Sequence, residues 1–226
     1  MMDFYLDGVA ASSKGLHVEE ITPPIKPARR LTLSVVSGRS GFLTTGDDTH
    51  AQVTRYVTCF LPDPDKLGGI YTWLESGRTV RFSTDPAHSL DCIVYSAIEP
   101  DVFAQGVEIT IPFACQPHRY LYPAAADIVL TAGGTVVNPG TAASEPRISV
   151  EATGDFILYV NGTAVEAGAS VIIDSRLRDC LETDGVALAN GRVIMADFPV
   201  LSPGPNAISW TGAVTKVTIT PRWRDV

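Results

Sequence analysis

Apolar and polar residues alternate along much of the chain, with the period of two that is typical of β-strands. Five segments of the first half show this pattern and are rich in β-branched and aromatic side chains. They are RLTLSV (30–35), QVTRYVTCF (52–60), RTVRFS (78–83), LDCIVYS (90–96) and GVEITIPFAC (106–115). The first half of the chain is therefore predicted to be mainly β.

One segment has a helical period instead. In DPDKLGGIYTWLESG, apolar side chains recur three and four residues apart from Leu67 to Leu74, which gives a helix one apolar face. Asp63 is suited to cap the first turn, Pro64 to occupy its first position and Gly77 to end the helix. We predict one short helix at about 64–76, packed on a sheet.

The amino-acid composition changes in the second half of the chain. Small and turn-forming residues dominate 126–145, which indicates a junction between domains. Short strand-like segments follow, and Asn161–Gly162 between FILYV and TAV is a strong hairpin signal. Many short strands with frequent Gly and Asn turns favour a β-sandwich. The predicted organisation is an N-terminal domain at 1–125, a junction at 126–145 and a C-terminal β-sandwich at 146–226.

The segment ITPPIKPARRLTLSVVSGRSG, residues 21–41, is an unusual entry to a folded domain. Its prolines hold the backbone extended and remove hydrogen-bond donors, so it is predicted to be neither a helix nor a central strand. It continues into an alternating strand and then into a basic turn bounded by glycines. We expect an extended arm that cannot complete a sheet within its own subunit. The residues that define the arm and its turn are Pro23, Pro24, Pro27, Arg29, Arg30 and Arg39.

The composition of the 226 residues, 45% hydrophobic and 19% charged, is that of a globular protein. The net charge is −8, which argues against specific nucleic-acid binding because such proteins concentrate lysine and arginine on one surface. The start, MMDFYLDGVAASSKG, has neither a basic leader nor an apolar run. No stretch reaches the roughly 20 apolar residues of a membrane helix. We therefore expect no export signal and no membrane contact.

Two pairs of histidine and cysteine residues could in principle form a zinc site. His88 and Cys92 are four apart, and Cys115 and His118 are three apart, which in number matches a Cys2His2 zinc site. However, both cysteines lie within apolar strands, where buried thiols are ordinary, and neither pair has the spacing of a zinc knuckle. Buried thiols are the favoured interpretation, with no metal and no cofactor.

No motif in the sequence indicates catalysis. The chain contains no GxxxxGK[ST] or GxGxxG loop, and Ser40 in SGRSGF lacks the spacing of a nucleophile elbow. The paired acids Glu19–Glu20 and Asp47–Asp48 are interpreted as solvated loop charges rather than as an acid–base pair. The sequence therefore predicts a protein that is not an enzyme.

Eight short motifs occur in a fixed order along nearly the whole chain. They are FYLDG, GLHVEEITPPIKPARR, SGRSG, TWLESG, VEITIPFACQPHRY, NPGTAASEPRISV, FPVLSPGPNAISWTG and ITPRWR. In this order they resemble the distal tail proteins (Dit) of long-tailed, siphovirus-type bacteriophages. SVVSGRSG departs from that family, which more often has a proline before the Gly-Arg. The chain also has no room for the carbohydrate-binding modules inserted in some relatives.

The resemblance implies a structural hub of a phage tail tip. The N-terminal domain would be a ring-forming β-sandwich or split barrel with one helix, and the C-terminal domain a galectin-like β-sandwich. Six copies would form a ring around the DNA channel, between the tail tube protein and a tail-tip or tail-associated lysin-type protein. The tape measure protein is a further candidate partner. The protein would be located at the virion tail tip after assembly in the host bacterial cytoplasm, with Pro23, Pro24, Pro27, Arg29, Arg30 and Arg39 at the subunit interface.

Two other classes of protein stay open. A carbohydrate-binding β-sandwich module would attach to the host surface and stack sugar rings on Trp73, Trp210 or Trp223. Tryptophans scattered among apolar neighbours are more often core residues, however, which disfavours that class. A wall hydrolase is the second class, and it lacks a paired nucleophile or acid motif.

Overall fold

The computed structural model describes residues 2–226 and divides the chain into two compact units. The first unit runs to Arg119 and includes the C-terminal Val226, and the second is Tyr120–Asp225. The predicted domain boundaries at residues 125 and 145 separate pieces that are expected to fold independently. The division into two compact units does not test independent folding, so these boundaries stay a prediction.

The first unit contains ten strands and one α-helix among the described residues. The strands are β1 (Phe4–Leu6), β2 (Val9–Ala10), β3 (His17–Ile21), β4 (Arg29–Ser34), β5 (Leu43–His50), β6 (Val53–Leu61), β7 (Thr79–Phe82), β8 (His88–Ile93), β9 (Pro100–Phe103) and β10 (Gly106–Leu121). The helix α1 is Leu67–Ser76, and short 3₁₀ turns occupy Ala11–Lys14 and Pro64–Lys66. Strand β10 continues two residues beyond the division between the units.

Most of these strands form one sheet in the order β2-β1-β7-β8-β10-β6-β3, with β9 also paired to β10. Its central antiparallel pair, β6 with β10, keeps one register from Leu61 opposite Val107 to Val53 opposite Cys115. Since β6 alternates strictly, every second residue from Val53 to Leu61 is buried. The predicted strands at 52–60, 78–83 and 90–96 are confirmed within three residues at each end. The predicted strand at 106–115 is confirmed, but β10 continues to Leu121.

The helix α1 covers one face of this sheet. Its apolar side lies in the core of the first unit, where Ile70 and Leu74 are buried. Asp63 accepts a hydrogen bond from the backbone N–H of Asp65 at 3.3 Å, and thereby caps the 3₁₀ turn that leads into the helix. The predicted helix is confirmed, with its first residues in 3₁₀ rather than α conformation.

Strands β4 and β5 form a separate two-stranded antiparallel sheet. The register places Leu31 opposite Gly46 and Leu33 opposite Thr44, with an irregularity between Arg29 and Leu31. A side chain at position 46 would come within 2.6 Å of Leu31 Cδ2 and 2.8 Å of the Arg30 carbonyl oxygen. Glycine is therefore required at this position for the two strands to pair.

The second unit is built on two long strands, β13 (Arg147–Val160) and β18 (Gly204–Thr220). The others are β11 (Ile128–Leu130), β12 (Gly134–Asn138), β14 (Thr163–Ala167), β15 (Val171–Asp174), β16 (Asp179–Leu181), β17 (Val193–Met195) and β19 (Arg224–Asp225), with a 3₁₀ turn at Asn190–Arg192. The sheet order is β11-β18-β13-β14-β17, with β12 on β18 and β15 between β13 and β16.

The hairpin signal of the second unit is confirmed. Val160 pairs with Thr163, and both turn residues have positive φ, +50° at Asn161 and +86° at Gly162. This combination is the tight turn that matches the twist of the flanking strands. Along β13 and β18 the register shifts near Phe156, where Gly212 has φ +89° and a side chain would meet the Asp155 carbonyl oxygen at 2.2 Å.

An ion pair between the buried Asp174 and the partly exposed Arg222 lies in the second unit. Arg222 donates two hydrogen bonds to the Asp174 carboxylate, at 2.6 and 2.7 Å. Burial alone raises the pKa of Asp174, but the bonds from Arg222 and from the backbone N–H groups of Leu177 and Arg176 lower it overall. The pair holds the end of β15 to the segment that follows β18.

The fold class is confirmed as mainly β with one short helix. The split-barrel and galectin-like layouts stay predictions. Within the described residues, no helix has the length and hydrophobicity needed to span a membrane.

Candidate subunit interface

The hairpin of β4 and β5 is exposed to solvent over residues 29–46. Every residue from Arg29 to Gly46 is exposed, including Leu33 at 58%, Val35 at 86% and Phe42 at 57%. Leu31 and Leu33 project from the same face because side chains alternate along a strand. A two-stranded ribbon without cover is marginal in water at best. The hairpin is therefore a candidate for packing against another molecule.

The arm that precedes the hairpin is fixed at both ends. At its start, the Thr22 N–H donates to the Tyr56 carbonyl oxygen at 2.9 Å. At its end, the Ala51 N–H donates to the Ala28 carbonyl oxygen at 2.8 Å. The prolines between these points lie outside any helix or strand, as predicted. These two hydrogen bonds fix the root of the hairpin, which is the position where it leaves the first unit.

Arg55 is a buried residue that helps to hold the start of the arm. It is only 2% exposed, its Nη2 donates to the Thr22 carbonyl oxygen, and its guanidinium lies 4.1 Å from the centroid of the Phe82 ring. Burial lowers the pKa of Arg55. Sequence reasoning missed this role, although the alternation in β6 places Arg55 on the same face as the buried Val53 and Val57.

The predicted interface residues are distributed unevenly between surface and interior. Pro27 is buried in the subunit, so it offers little surface to a neighbour. The other residues of that set are exposed: Pro23, Pro24, Arg29, Arg30 and Arg39. Arg39 lies in the hairpin turn, where its N–H donates to the Val36 carbonyl oxygen at 3.2 Å. Their role at an interface stays a prediction.

A second exposed surface of the first unit lies at 93–108. Tyr95 is 68% exposed, Val102 is 73% exposed and Phe103 is 55% exposed. Strand β9, which carries the last two, pairs only with β10 among the described strands. Sequence reasoning missed this surface. Its signal is an apolar segment in which acidic residues are the only charges, since Glu99 and Asp101 have no nearby lysine or arginine in the chain.

The residues considered as a Cys2His2 zinc site do not form a cluster of ligands. His88 Nδ1 lies 2.6 Å from Asp85 Oδ1, and Arg119 donates to the other oxygen of that carboxylate at 3.2 Å. Burial alone raises the pKa of Asp85, but the hydrogen bonds and charges of His88 and Arg119 lower it overall. Among residues 2–226 as described, no three His, Cys, Asp or Glu side chains are grouped as metal ligands.

The paired acids take different places from those expected. Glu19 and Glu20 are exposed, as expected, but they lie in strand β3 rather than in a loop, so that part of the interpretation is wrong. This charged segment joins the sheet because it pairs with the edge of β6, with Ile21 opposite Val57. The side chains of Asp47–Asp48 lie outside the described residues.

The three tryptophans pack against the two cores. Trp223 is buried in the second unit, and Trp210 packs partly against the same core. Trp73 stacks on Phe4 with ring centroids 5.7 Å apart. These contacts favour the core interpretation over sugar stacking.

No protein-family model matches the chain, and no curated protein sequence does either. Solved structures do match. The first is the Dit protein (gp 19.1) of phage SPP1, described as a paradigm of the hub adsorption apparatus in phages that infect Gram-positive bacteria, with a TM-score of 0.77 and 14% identity over 100% of both chains. The chain has the fold of SPP1 Dit.

A second similar structure comes from a phage baseplate. The baseplate of phage p2, in its activated conformation with Sr, matches with a TM-score of 0.53 and 9% identity over 97% of each chain. The resemblance carried by the eight motifs is thus confirmed at the level of the fold. One similar structure is described as part of a phage adsorption apparatus and the other as a phage baseplate.

Proposed function

We propose that the protein is a distal tail protein, the structural hub of a phage tail tip. The observation that carries the proposal is the likeness to SPP1 Dit over the whole length of both chains. A match confined to one unit would suit a β-sandwich found in many contexts, whereas here both units match in one chain. The protein is then a component of the virion, assembled in the host bacterial cytoplasm.

In this function six copies form a closed ring around the DNA channel. The exposed hairpin supports ring formation, because it leaves apolar side chains that a neighbour can cover and its surface differs from the rest of the sheet. Contact between two unlike surfaces generates a ring when the rotation closes. Pro23, Pro24, Arg29, Arg30 and Arg39 then lie at or near the contact, and Pro27 sets the course of the arm from inside the subunit.

The ring joins the tail tube protein to a tail-tip or tail-associated lysin-type protein, with the tape measure protein as a further candidate partner. The role is architectural, so the chain acts without catalysis, metal or cofactor. A carbohydrate-binding role for the second unit is the alternative, and no particular observation favours it, since the tryptophans pack against the cores.

Mass and symmetry measurements test the proposal. The purified full chain, alone and co-expressed with the neighbouring tail genes, is examined by light scattering and by negative-stain electron microscopy. We expect a particle of about six times the 24.1 kDa chain mass, and six-fold class averages with a central opening. Monomers alone at high concentration, with those tail proteins present, would overturn the proposal. Saturable glycan binding by a folded monomer would favour the alternative.

A further inference from the structure

A head-to-tail ring needs two different surfaces on each copy, one that projects and one that receives. The hairpin supplies the projecting surface. The receiving surface is inferred from features of the first unit alone, and the inference rests on the proposed function.

The projecting surface is apolar and basic. We define the basic hairpin as residues 25–46, which contain no acidic residue, although Asp47 and Asp48 follow directly in the last part of β5. Its exposed apolar side chains are Ile25, Leu31, Leu33, Val35, Val36, Phe42 and Leu43. Its four charged residues are Lys26, Arg29, Arg30 and Arg39. The chain as a whole carries a net charge of −8, so the positive charge of this segment is opposite in sign to that of the whole chain.

The surface at 93–108 has the opposite charge and a similar apolar content. We define the acidic patch as these residues, which contain no lysine or arginine. Ile93, Tyr95, Val102 and Phe103 are exposed apolar or aromatic side chains on it. Glu99, Asp101 and Glu108 are its charged residues. The two surfaces are thus complementary in charge, and each offers apolar area for the other to cover.

The two surfaces lie at opposite ends of one strand. The hairpin returns to the sheet at Val53, the first residue of β6. The acidic patch meets the sheet where β9 pairs with Gly106–Ile109 of β10, and that part of β10 lies opposite the other end of β6, at Leu61. At about 3.3 Å per residue, the nine-residue β6 spans about 26 Å. This separation places the hairpin root far from the acidic patch of its own subunit. A head-to-tail contact requires such an arrangement.

We propose that the basic hairpin of one copy packs on the acidic patch of the next copy. Leu33 and its neighbours on the apolar face of β4 cover Phe103, which lies on the same face of β9 as Asp101, and the arginines meet the carboxylates of Glu99 and Asp101. The occupant of the patch is a second copy of this chain.

A charge-swap experiment on the full chain tests the contact. One variant carries Arg30→Glu with Arg39→Glu, a second carries Glu99→Arg with Asp101→Arg, and a third carries all four changes. Sedimentation velocity at low salt measures ring formation. We expect each double variant to weaken ring association by at least tenfold, and the fourfold variant to recover it, because opposite charges again face each other. Failure of the fourfold variant to recover, with circular dichroism showing a folded chain, would overturn the inference.

The control carries the same charge change outside the proposed contact. Asp155→Arg with Glu166→Arg places two arginines at exposed positions of the second unit. This variant is expected to form rings as the wild type does. Loss of rings in the control equal to that in the acidic-patch variant would count against a local contact.

Cross-linking supplies a readout that does not depend on the charge variants. The four natural cysteines are buried, so a chain with Leu33→Cys and Phe103→Cys offers two reactive thiols. A short bismaleimide should produce covalent multimers on a denaturing gel, and each single variant should not produce them beyond dimers. Rings without such multimers would overturn this contact and leave the proposed function standing. Absence of rings in the wild type would overturn both.

Discussion

Strands β4 and β6 belong to the same unit and carry the same alternating pattern, yet their side chains meet different surroundings. In β6, every second residue from Val53 to Leu61 is buried, and Val57, Cys59 and Leu61 lie in the core of the first unit. In β4, Leu31 and Leu33 alternate in the same way and are both exposed. The alternation specifies which side chains share a face, but it does not specify what covers that face.

This difference separates stability of the subunit from assembly. The face of β6 is covered within its own chain, so its apolar side chains stabilise the folded subunit. The face of β4 has no such cover among the described residues, so its apolar side chains contribute little until a neighbour packs on them. Substitutions at the two strands should therefore have different readouts.

The largest expected effect comes from truncating one leucine in each strand. Leu61→Ala removes a fully buried side chain and should lower the free energy of unfolding by about 2–5 kcal/mol. Leu33→Ala removes an exposed one and should change it by no more than about 0.5 kcal/mol. Urea denaturation of each variant at a concentration where the protein is monomeric makes the measurement.

The same two variants should rank differently in ring formation. Leu33→Ala is expected to weaken the ring although the monomer keeps its stability. If Leu33→Ala instead lowers monomer stability by 2 kcal/mol or more, the hairpin packs on its own subunit in solution, and the comparison of the two strands fails.

The fold was more predictable than the interface, for reasons that particular residues show. The strands at 52–60 and 106–115 combine strict alternation with β-branched side chains, so local pattern and tertiary burial agree. Strand β3 was missed because HVEEI is charged and joins the sheet only through the edge of β6. The patch around Val102 and Phe103 was missed because exposure is a property of the whole unit. The local signal, an apolar segment whose only charges are acidic, does not by itself report exposure.

A second test compares a charge pair satisfied inside one subunit with the charges of the hairpin. Asp174→Asn removes the buried partner of Arg222 and should lower the free energy of unfolding by about 3 kcal/mol. Because the folded pKa of Asp174 is lowered, the contribution is present above the unfolded pKa of about 3.9 and is lost as the pH falls through the folded pKa. Denaturation curves of the wild type and Asp174→Asn should therefore converge in acid. Glu151→Gln, at an exposed pair with Lys216, is the control and should cost less than about 1 kcal/mol.

The hairpin arginines should give a smaller effect that depends on salt. Arg29→Ala together with Arg30→Ala should leave monomer stability within about 0.5 kcal/mol and weaken each ring contact by about 1 kcal/mol. The difference from wild type should shrink between 0.1 M and 1 M salt, as the screening length falls from about 10 Å to about 3 Å. Analytical ultracentrifugation across a salt series measures it, with Lys216→Ala in the second unit as the control. Equal ring populations at every salt concentration would assign the contact to apolar residues alone.

Limited proteolysis should distinguish the hairpin from the junction. Residues 122–127, which reach into the start of the predicted junction at 126–145, are exposed and lie outside any strand, and they include Ala124 to Ala126, which elastase can cleave. Trypsin should cleave at Arg39 in the exposed hairpin turn. We expect ring formation to protect Arg39 and to leave the junction open, as judged by mass spectrometry of the first fragments. Protection of both sites, or first cuts inside the Asn161–Gly162 turn, would contradict the predicted junction.

The smallest expected effect is the absence of a reaction at the natural thiols. Burial raises the pKa of Cys59, in β6, from 9.0 to about 12, which lowers its reactive thiolate fraction at neutral pH on the order of a thousandfold. Cys115 is shifted in the same way, to about 12. In native protein, a disulfide reagent should therefore label neither residue, whereas a cysteine introduced by Leu33→Cys in β4 should react at once in the monomer and slowly in the ring. Denaturant should release all the natural thiols, which supplies the positive control. Rapid native labelling of Cys59 would mean that the β6 face opens to solvent, and the two strands would then differ less than their burial indicates.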